Sequence, residues 1–219
     1  SVSGVLLNTD SGSVDRTVST EHGAALPSDD PDSHAQDPVR ILAAVEHTLA
    51  VLASEATASS GHDRASRAVA GVSLTGQVHG ILYLDDEGIP ASPLYTWQDT
   101  RGRRPRPTPD ERTPAPGPNS RTGPRHGGPT ESWSNWVERV TGRRVPSGYG
   151  FLTHLVNRAS GAVPAGAATL TTVLGFLAMQ LTGAQTVRLD PTDAHTLGLF
   201  DLRDGSFDQS ALHAMGVEP

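Results

Sequence analysis

Two short segments of the sequence carry side chains that could bind a ligand rich in hydroxyl groups. Gln77 and His79 stand two residues apart after an apolar run, so on an extended chain both side chains point to the same side. Amide and imidazole groups both donate and accept hydrogen bonds, which suits a polyol. Further along, the indole of Trp97 could pack on the C–H face of such a ligand, and Asp99 could accept hydrogen bonds from its hydroxyls.

Each of these pairs also has a purely structural interpretation. Gln77 and His79 could be polar groups that find hydrogen-bond partners at the end of a strand. Trp97 could be a core residue and Asp99 a turn residue. Taken one pair at a time, the structural interpretation is the more frequent, and the residue types alone leave both open.

Two further groups of polar residues invite a metal or catalytic interpretation. Asp190 and Asp193 are three residues apart, a spacing that could serve Mg²⁺ or acid–base chemistry, but Asp193 also precedes a short helical pattern and could be its N-cap. His154 and His195 have no partners at metal-ligand spacing, so we expect them to be structural or exposed. No metal site and no catalytic residue is predicted within the chain.

Charge and composition restrict the classes of partner. The net charge of −7 argues against a nucleic-acid binder, although residues 101–106 contain four arginines. We expect that run to be a solvated part of a flexible insertion rich in Pro, Arg and Gly over residues 101–129. A polyproline-type partner site within 113–118 is the alternative. No secretory signal or membrane-spanning stretch is predicted, and we expect a cytoplasmic protein.

The elements that must position these residues alternate between strands and helices. Residues 2–7 and 13–20 alternate apolar and polar types around a turn, which predicts a hairpin. Asp37 and Pro38 are suited to the start of a helix whose apolar residues recur at helical spacing over 38–53. The pattern of strand, helix and strand predicts an α/β domain.

The rest of the chain continues this alternation. Residues 67–74 predict a buried strand that leads into Gln77, and a hairpin of 81–84 with 91–97 follows and ends at Trp97. Beyond the insertion we expect helices capped by Thr130 and Asp208, and two more over 149–159 and 170–181. We expect one domain over residues 1–219.

Read together, the stretches VSLTGQVHG at 72–80 and PLYTWQD at 93–99 resemble the FGGY carbohydrate kinases, in which S/T-G-Q-M-H-G precedes a hairpin and then W-x-D-x-R. Arg101 supplies the last position of that motif. The resemblance continues in QDP at 36–38, in a helix that ends at Gly183, and in DA at 193–194 followed by GLF at 198–200. The SGYG at 147–150 is most similar to sedoheptulokinase-like and xylulokinase-like members.

The resemblance implies a ribonuclease-H-like lobe of the actin-like ATPase fold, with a mixed sheet, flanking helices and an incomplete first strand. It implies an N-terminal sugar-binding lobe, cut at both ends, of an enzyme that transfers the γ-phosphoryl of ATP to a hydroxyl of a ketose or polyol. Its substrate-binding residues would be Gln77, His79, Trp97, Asp99 and Tyr149. ATP and Mg²⁺ would belong to the complete protein, and a small-molecule sugar would be the partner.

Several features of the family are not found in this sequence. Neither the D-x-G-T turn nor the catalytic Asp of the family is present, so we expect these 219 residues alone to be inactive. Val78 stands where the family has Met, and Gly175 where many members have Asp. A non-catalytic sugar-binding or interaction module, or a degenerate kinase remnant, is the alternative.

Overall fold

The computed structural model describes residues 1–58, 69–107 and 131–217, with the side chains of 55–58 left out. Its helices are α1 Pro38–Ala58, α2 Trp133–Thr141, α3 Gly150–Ser160, α4 Val173–Thr182, α5 Pro191–Thr196 and α6 Gln209–Ala214. Its strands are β1 Val2–Leu7, β2 Val14–Thr20, β3 Ala25–Leu26, β4 Ala35–Gln36, β5 Leu82–Leu84, β6 Leu94–Tyr95, β7 Thr169–Thr171, β8 Phe200–Asp201 and β9 Ser206–Phe207.

The first hairpin and the long helix form as the pattern predicts. β1 and β2 pair antiparallel, with Val2 opposite Thr20. Asp37 caps α1, since its Oδ1 accepts hydrogen bonds from the backbone N–H groups of Val39 and Arg40 at 2.9 and 3.2 Å. The helix lies so close to the hairpin that a Cβ added at Gly4 would be 2.7 Å from the Leu52 side chain. Glycine at this position therefore sets the distance between helix and hairpin.

β5 separates two apolar clusters in the centre of the domain. Successive side chains on a strand point to opposite faces. Tyr83 accordingly joins a cluster with α2 and α3, whereas Leu82 and Leu84 join a cluster with α1 and α4. β5 pairs with β7 along one edge, and Ile81 just before it bridges to Tyr95 of β6. The strand that precedes the predicted site segment 93–99 is thus fixed from both sides.

The capping residues in the sequence predict most helix ends to within a few residues, and the structure corrects some of these positions. Ser132 caps α2 by accepting from the Asn135 N–H, while Thr130, the predicted cap, lies outside the described residues. The helix predicted over 170–181 begins at Val173, because residues 169–171 form β7 and Thr172 is the cap. Asp190, and not Asp193, caps α5, while Asp208 caps α6 as predicted. These helices remain amphipathic against the same core.

The strand predicted over 67–74 is not formed in the part of it that the structure describes. Residues 69–74 have no regular secondary structure and no strand partner, and Val69 and Val72 are exposed. The strands among the described residues make four small antiparallel sheets instead of one mixed sheet. The α/β class is confirmed, and the missing pairing partner for 69–74 is the physical reason for the difference.

The basic run 101–106 is not a solvated loop. Arg101–Arg103 forms a turn of 3₁₀ helix in which Arg101 is buried. The guanidinium of Arg104 pairs with Asp30 and Asp32, the latter at 2.7 Å, and the Arg106 guanidinium lies 4.8 Å from the Trp136 ring centroid. Hydrogen bonding to Arg104 lowers the pKa of both carboxyls. Residues 108–129 of the predicted insertion, with the polyproline-type segment, lie outside the described residues.

No helix among the described residues is long and apolar enough to cross a membrane.

Candidate functional site

His79 is held in a strained turn by the end of α5. Its φ of 71° lies in the left-handed region, which a residue with a side chain adopts only at a cost of about 1–3 kcal/mol. Its N–H donates to the Thr196 hydroxyl at 3.3 Å, and its Nδ1 lies 2.8 Å from the Thr196 carbonyl oxygen. Because a carbonyl only accepts, Nδ1 carries the proton, and Nε2 of the neutral ring is an acceptor.

Tyr149 stacks on this imidazole. The two ring centroids are 4.0 Å apart and the planes differ by 25°. The residues stand 70 positions apart, so the fold brings together two side chains that the resemblance assigned to substrate binding. The half-buried pair presents an aromatic face beside a hydrogen-bond acceptor, a combination that suits the mixed C–H and O–H surface of a sugar.

The backbone of Trp97 packs against Gly148, the residue before Tyr149. Gly148 has a φ of 89°, and a Cβ there would lie 2.1 Å from the Trp97 carbonyl oxygen. The chain just before Tyr149 therefore packs directly on the backbone of Trp97. The Trp97 side chain is 54% exposed, which contradicts its interpretation as a core residue. The exposed indole is therefore accessible to a ligand.

Asp99 lies beneath this surface and does not present free oxygens. The residue is 1% exposed, and its Oδ2 lies 2.6 Å from Nη2 and 2.8 Å from Nε of Arg101. Its Oδ1 accepts from the Arg101 N–H at 3.0 Å. Both oxygens therefore serve a buried ion pair with Arg101, and contact of Asp99 with ligand hydroxyls stays a prediction. The pair fixes the turn that carries Trp97.

Gln77 is anchored away from the stacked pair. Its Nε2 donates to Oε1 of Gln36 at 2.7 Å, and Gln36 belongs to β4, which pairs with β6. Half-buried, it joins the segment 76–80 to the small sheet that leads into Trp97. Among the described residues no hydrogen bond joins Gln77 to His79, Trp97 or Tyr149. The Gln77 side-chain amide is thus close in sequence to His79 but is hydrogen-bonded to Gln36.

A buried polar chain supports the site from below. Arg101 Nη2 donates to Asn157 Oδ1 at 2.9 Å, and the Tyr83 hydroxyl lies 2.9 Å from His154 Nδ1. Burial raises the pKa of Tyr83 to about 12. Burial, together with the charge of Arg158, lowers the pKa of His154 to about 4. His154 is structural, as predicted from the sequence.

Protonation of His154 should couple folding to pH. The unfolded histidine, with a pKa near 6.5, binds more protons than the folded one between pH 6.5 and 4. We expect the free energy of unfolding to fall by about 2 kcal/mol between pH 7 and pH 5 on this account, at ~1.4 kcal/mol per pKa unit. Urea denaturation at both pH values would show it.

His154→Gln should remove most of that pH dependence, whereas His47→Gln on the exposed surface of α1 should leave it intact. An unchanged dependence in His154→Gln would show that other groups cause it.

Asp193 is a buried residue of α5 that was not assigned to the site from the sequence. The Thr172 hydroxyl donates to its Oδ2 at 2.6 Å, and Thr196 Oγ1 donates to its backbone oxygen at 2.7 Å. Its Oδ1 has no partner among the described residues, and burial raises its pKa. Asp193 thus lies one contact behind Thr196, which holds His79. The pairing of Asp190 with Asp193 as a metal site is not supported, because Asp190 bonds to Thr192.

Two other features lie apart from these residues. A cavity of about 310 Å³ is lined by Ser147 and the start of α2 but by none of the five predicted site residues. Among the described residues, the group of three acids close enough to share a metal ion is the exposed turn Asp85, Asp86 and Glu87. Neither feature adds a group to the surface formed by His79, Tyr149 and Trp97.

No protein-family model matches the sequence, and no curated protein does. Solved structures do. A gluconate kinase from Lactobacillus acidophilus superposes with a TM-score of 0.68 at 18% identity over 99% of this chain and 37% of its own. A xylulose kinase from Rhodospirillum rubrum superposes with a TM-score of 0.67 at 20% identity, and the match covers 99% of this chain and 39% of the kinase chain. A glycerol kinase from Plasmodium falciparum superposes with a TM-score of 0.58 at 15% identity, and the match covers 93% of this chain and 36% of the kinase chain.

These structures agree with the resemblance found in the sequence motifs. The chain spans less than two fifths of the length of the kinases it matches. Nearly all of this chain is nevertheless covered in each comparison, so the likeness extends beyond the two motif segments to the helices that follow them. The chain has the α/β, actin-like ATPase fold of the FGGY carbohydrate kinases.

Proposed function

We propose that this chain is the sugar-binding part of an ATP-dependent carbohydrate kinase whose substrate is a ketose or polyol of the xylulose or sedoheptulose type. The observation that carries the proposal is the stacking of His79 on Tyr149, whose ring centroids are 4.0 Å apart. Two segments that are 70 residues apart thereby meet in one ring contact. The exposed Trp97 is connected to the same segment by the packing of its backbone against Gly148.

The chemistry of this surface suits a hydroxylated ligand. Nε2 of His79 is an acceptor without a partner among the described residues, because Nδ1 is used by Thr196. The Tyr149 ring covers one face of the imidazole, and the Trp97 indole offers an apolar face for C–H groups. We assign His79, Tyr149 and Trp97 to direct contact with the sugar, and Gln77 and Asp99 to the support of their segments.

Phosphoryl transfer itself is assigned to the complete protein. In such reactions ATP and Mg²⁺ supply the phosphoryl group and neutralise its charge, and catalysis depends mainly on positioning. The contribution of this chain is to hold the sugar by its hydroxyls and by one apolar face. From this role and the need for ATP, we infer that the proposed activity is cytoplasmic. We expect the 219 residues alone to bind sugar without phosphorylating it.

Calorimetric titration with xylulose, sedoheptulose, ribulose and glycerol tests the proposal. We expect saturable binding of at least one ketose and a loss of affinity of tenfold or more in His79→Ala, since a hydrogen bond of about 1.5 kcal/mol or more is removed. His47→Ala, on the exposed face of α1, is the matched control and should bind like the parent chain.

Two results would count against the assignment. Absence of binding for all four compounds at high millimolar concentration would show that these residues do not form a sugar site by themselves. Equal affinity in His79→Ala and His47→Ala would place the site elsewhere. Binding by a complete protein that lacks ATP-dependent turnover would favour the non-catalytic sugar-binding module.

A further inference from the structure

Three segments of the chain meet around the cavity of about 310 Å³. They are the 3₁₀ turn that ends at Arg103, the start of α2, and residues 144–147. The turn lies so close to the third segment that a Cβ added at Gly102 would be 2.9 Å from Ser147 Oγ. Val145, in the same segment, is 2% exposed. The backbone on these two sides of the cavity is therefore held in place by packing.

Two arginines that line this cavity have no partner for their charge. Arg103 and Arg144 come from different segments, and neither side chain forms an ion pair, hydrogen bond or ring contact among the described residues. The arginines around them in the sequence each lie against a carboxylate or an aromatic ring; they are Arg101, Arg104, Arg106, Arg139 and Arg143. A guanidinium keeps its charge at any physiological pH. Of these seven cations, the two without a partner are thus the two at the cavity.

The remaining polar groups of the lining suit hydroxyl groups. The Ser134 hydroxyl and the Asn135 side-chain amide form no hydrogen bond among the described residues. Both can donate and accept. Glu138 adds one carboxylate, which accepts hydrogen bonds and forms no ion pair with either arginine in the described part of the chain. The cavity therefore has two positive charges against one negative, together with groups that recognise hydroxyls.

We propose that this cavity binds a phosphate monoester of a polyhydroxy compound. Such a phosphate carries a charge of about −1.5 to −2 at pH 7 and three acceptor oxygens, which matches two guanidinium groups. A carboxylate would be matched by one. Ligand pockets range from roughly 300 to 1,000 Å³, so a cavity of about 310 Å³ has room for a small organic part beside the phosphate.

Each part of the ligand has its own partners in the cavity. Arg103 and Arg144 bind the phosphate oxygens, and Ser134, Asn135 and Glu138 bind the hydroxyls of the organic part. None of His79, Tyr149 and Trp97 lines the cavity, so the inference does not depend on the proposed sugar site.

An NMR titration of the isotope-labelled chain with three probes tests the site. The probes are glycerol 3-phosphate, inorganic phosphate and glycerate. We expect glycerol 3-phosphate to cause saturable shifts in the Nε–H signals of Arg103 and Arg144 and in the Ser134 amide. Inorganic phosphate should bind about threefold or more weakly, because it lacks the hydroxyls. Glycerate should bind about tenfold or more weakly, because its carboxylate carries a single charge.

Substitution of each arginine supplies the matched variants. Arg103→Gln and Arg144→Gln should each weaken glycerol 3-phosphate binding about tenfold or more, since each removes one charge-assisted contact. Arg188 is exposed and does not line the cavity, so Arg188→Gln removes the same charge elsewhere and should change the affinity less than about twofold. All three side chains are exposed, and thermal unfolding like that of the parent chain would confirm that the variants fold.

Four outcomes would overturn the proposal. One is the absence of saturation at high millimolar glycerol 3-phosphate, and another is a set of shifts centred on His79 and Tyr149. Equal weakening by Arg188→Gln and Arg103→Gln would reduce the effect to general charge attraction. Equal affinity of glycerol 3-phosphate with either of the other two probes would contradict a site for a phosphate monoester.

Discussion

Replacing Asp99 with Ala should lower the free energy of unfolding by about 3–5 kcal/mol, because one partner of a buried ion pair is removed and the other remains. The side chain of Arg101 is 10% exposed and that of Asp99 is 2% exposed, so water does not compensate for the lost carboxylate. Asn157 keeps one hydrogen bond to the guanidinium but carries no charge. Urea denaturation at pH 7 measures the loss.

Two variants separate this explanation from a general sensitivity to mutation. Glu131→Ala breaks the exposed pair with Arg139 and should cost about 0–1 kcal/mol. The double variant Asp99→Leu with Arg101→Met should lose less than Asp99→Ala alone, since no charge is left buried. A loss in Asp99→Ala no larger than in Glu131→Ala would mean that the Asp99–Arg101 pair does not support the turn.

Gly148→Ala should destabilise the chain by about 3 kcal/mol or more and also weaken sugar binding. A left-handed φ costs a residue with a Cβ about 1–2 kcal/mol, and a Cβ forced into a packed region adds about 1–3 kcal/mol. Here that Cβ would lie 2.1 Å from the Trp97 carbonyl oxygen, so the backbone of Trp97 or Tyr149 must move. Thermal unfolding and calorimetric titration with xylulose measure both effects.

Gly161→Ala is the matched control for that change. Gly161 has a φ of 71° but nothing within 4 Å of an added Cβ, so only the backbone term of about 1–2 kcal/mol applies. Sugar binding should be unaffected, because Gly161 and Tyr149 lie at opposite ends of α3. Equal losses in the two variants would show that the close approach between residues 97 and 148 is not needed.

Much of the architecture could be predicted from local pattern. The hairpin of β1 and β2 and the start of α1 at Pro38 follow from alternation and from Asp37 as a cap, both of which act within a few residues. The helices that end at Gly142 and Gly183 follow from a left-handed C-cap glycine in the same way. Such features depend on neighbours in the sequence and little on the rest of the fold.

The parts that could not be predicted depend on distant partners. Residues 69–74 have the composition of a strand, but a strand needs another strand beside it, and composition does not supply one. The burial of Arg101 was missed because an arginine in a proline-rich run resembles a solvated residue, and its partners Asp99 and Asn157 are identified only by the fold. For the same reason the sequence does not show that both oxygens of Asp99 serve an ion pair.

The candidate site was predicted in part. His79, Tyr149 and Trp97 were named from motifs, and the structure brings His79 and Tyr149 into ring contact. The sequence held no signal for Thr196, 117 residues away, whose hydroxyl accepts from the His79 backbone N–H and whose carbonyl oxygen holds the imidazole. A helix end that packs on a turn leaves no periodic pattern in the sequence, so this contact can be identified only from the three-dimensional structure.

A two-dimensional NMR titration of the isotope-labelled chain with xylulose tests the sugar site most directly. The predicted result is a saturable set of shifts that includes the Trp97 indole N–H, the His79 ring and the Tyr149 amide, with the buried Trp133 indole unchanged. These shifts should disappear in His79→Ala. Shifts centred on other residues, or none at high millimolar xylulose, would contradict the assignment of a sugar site to His79, Tyr149 and Trp97.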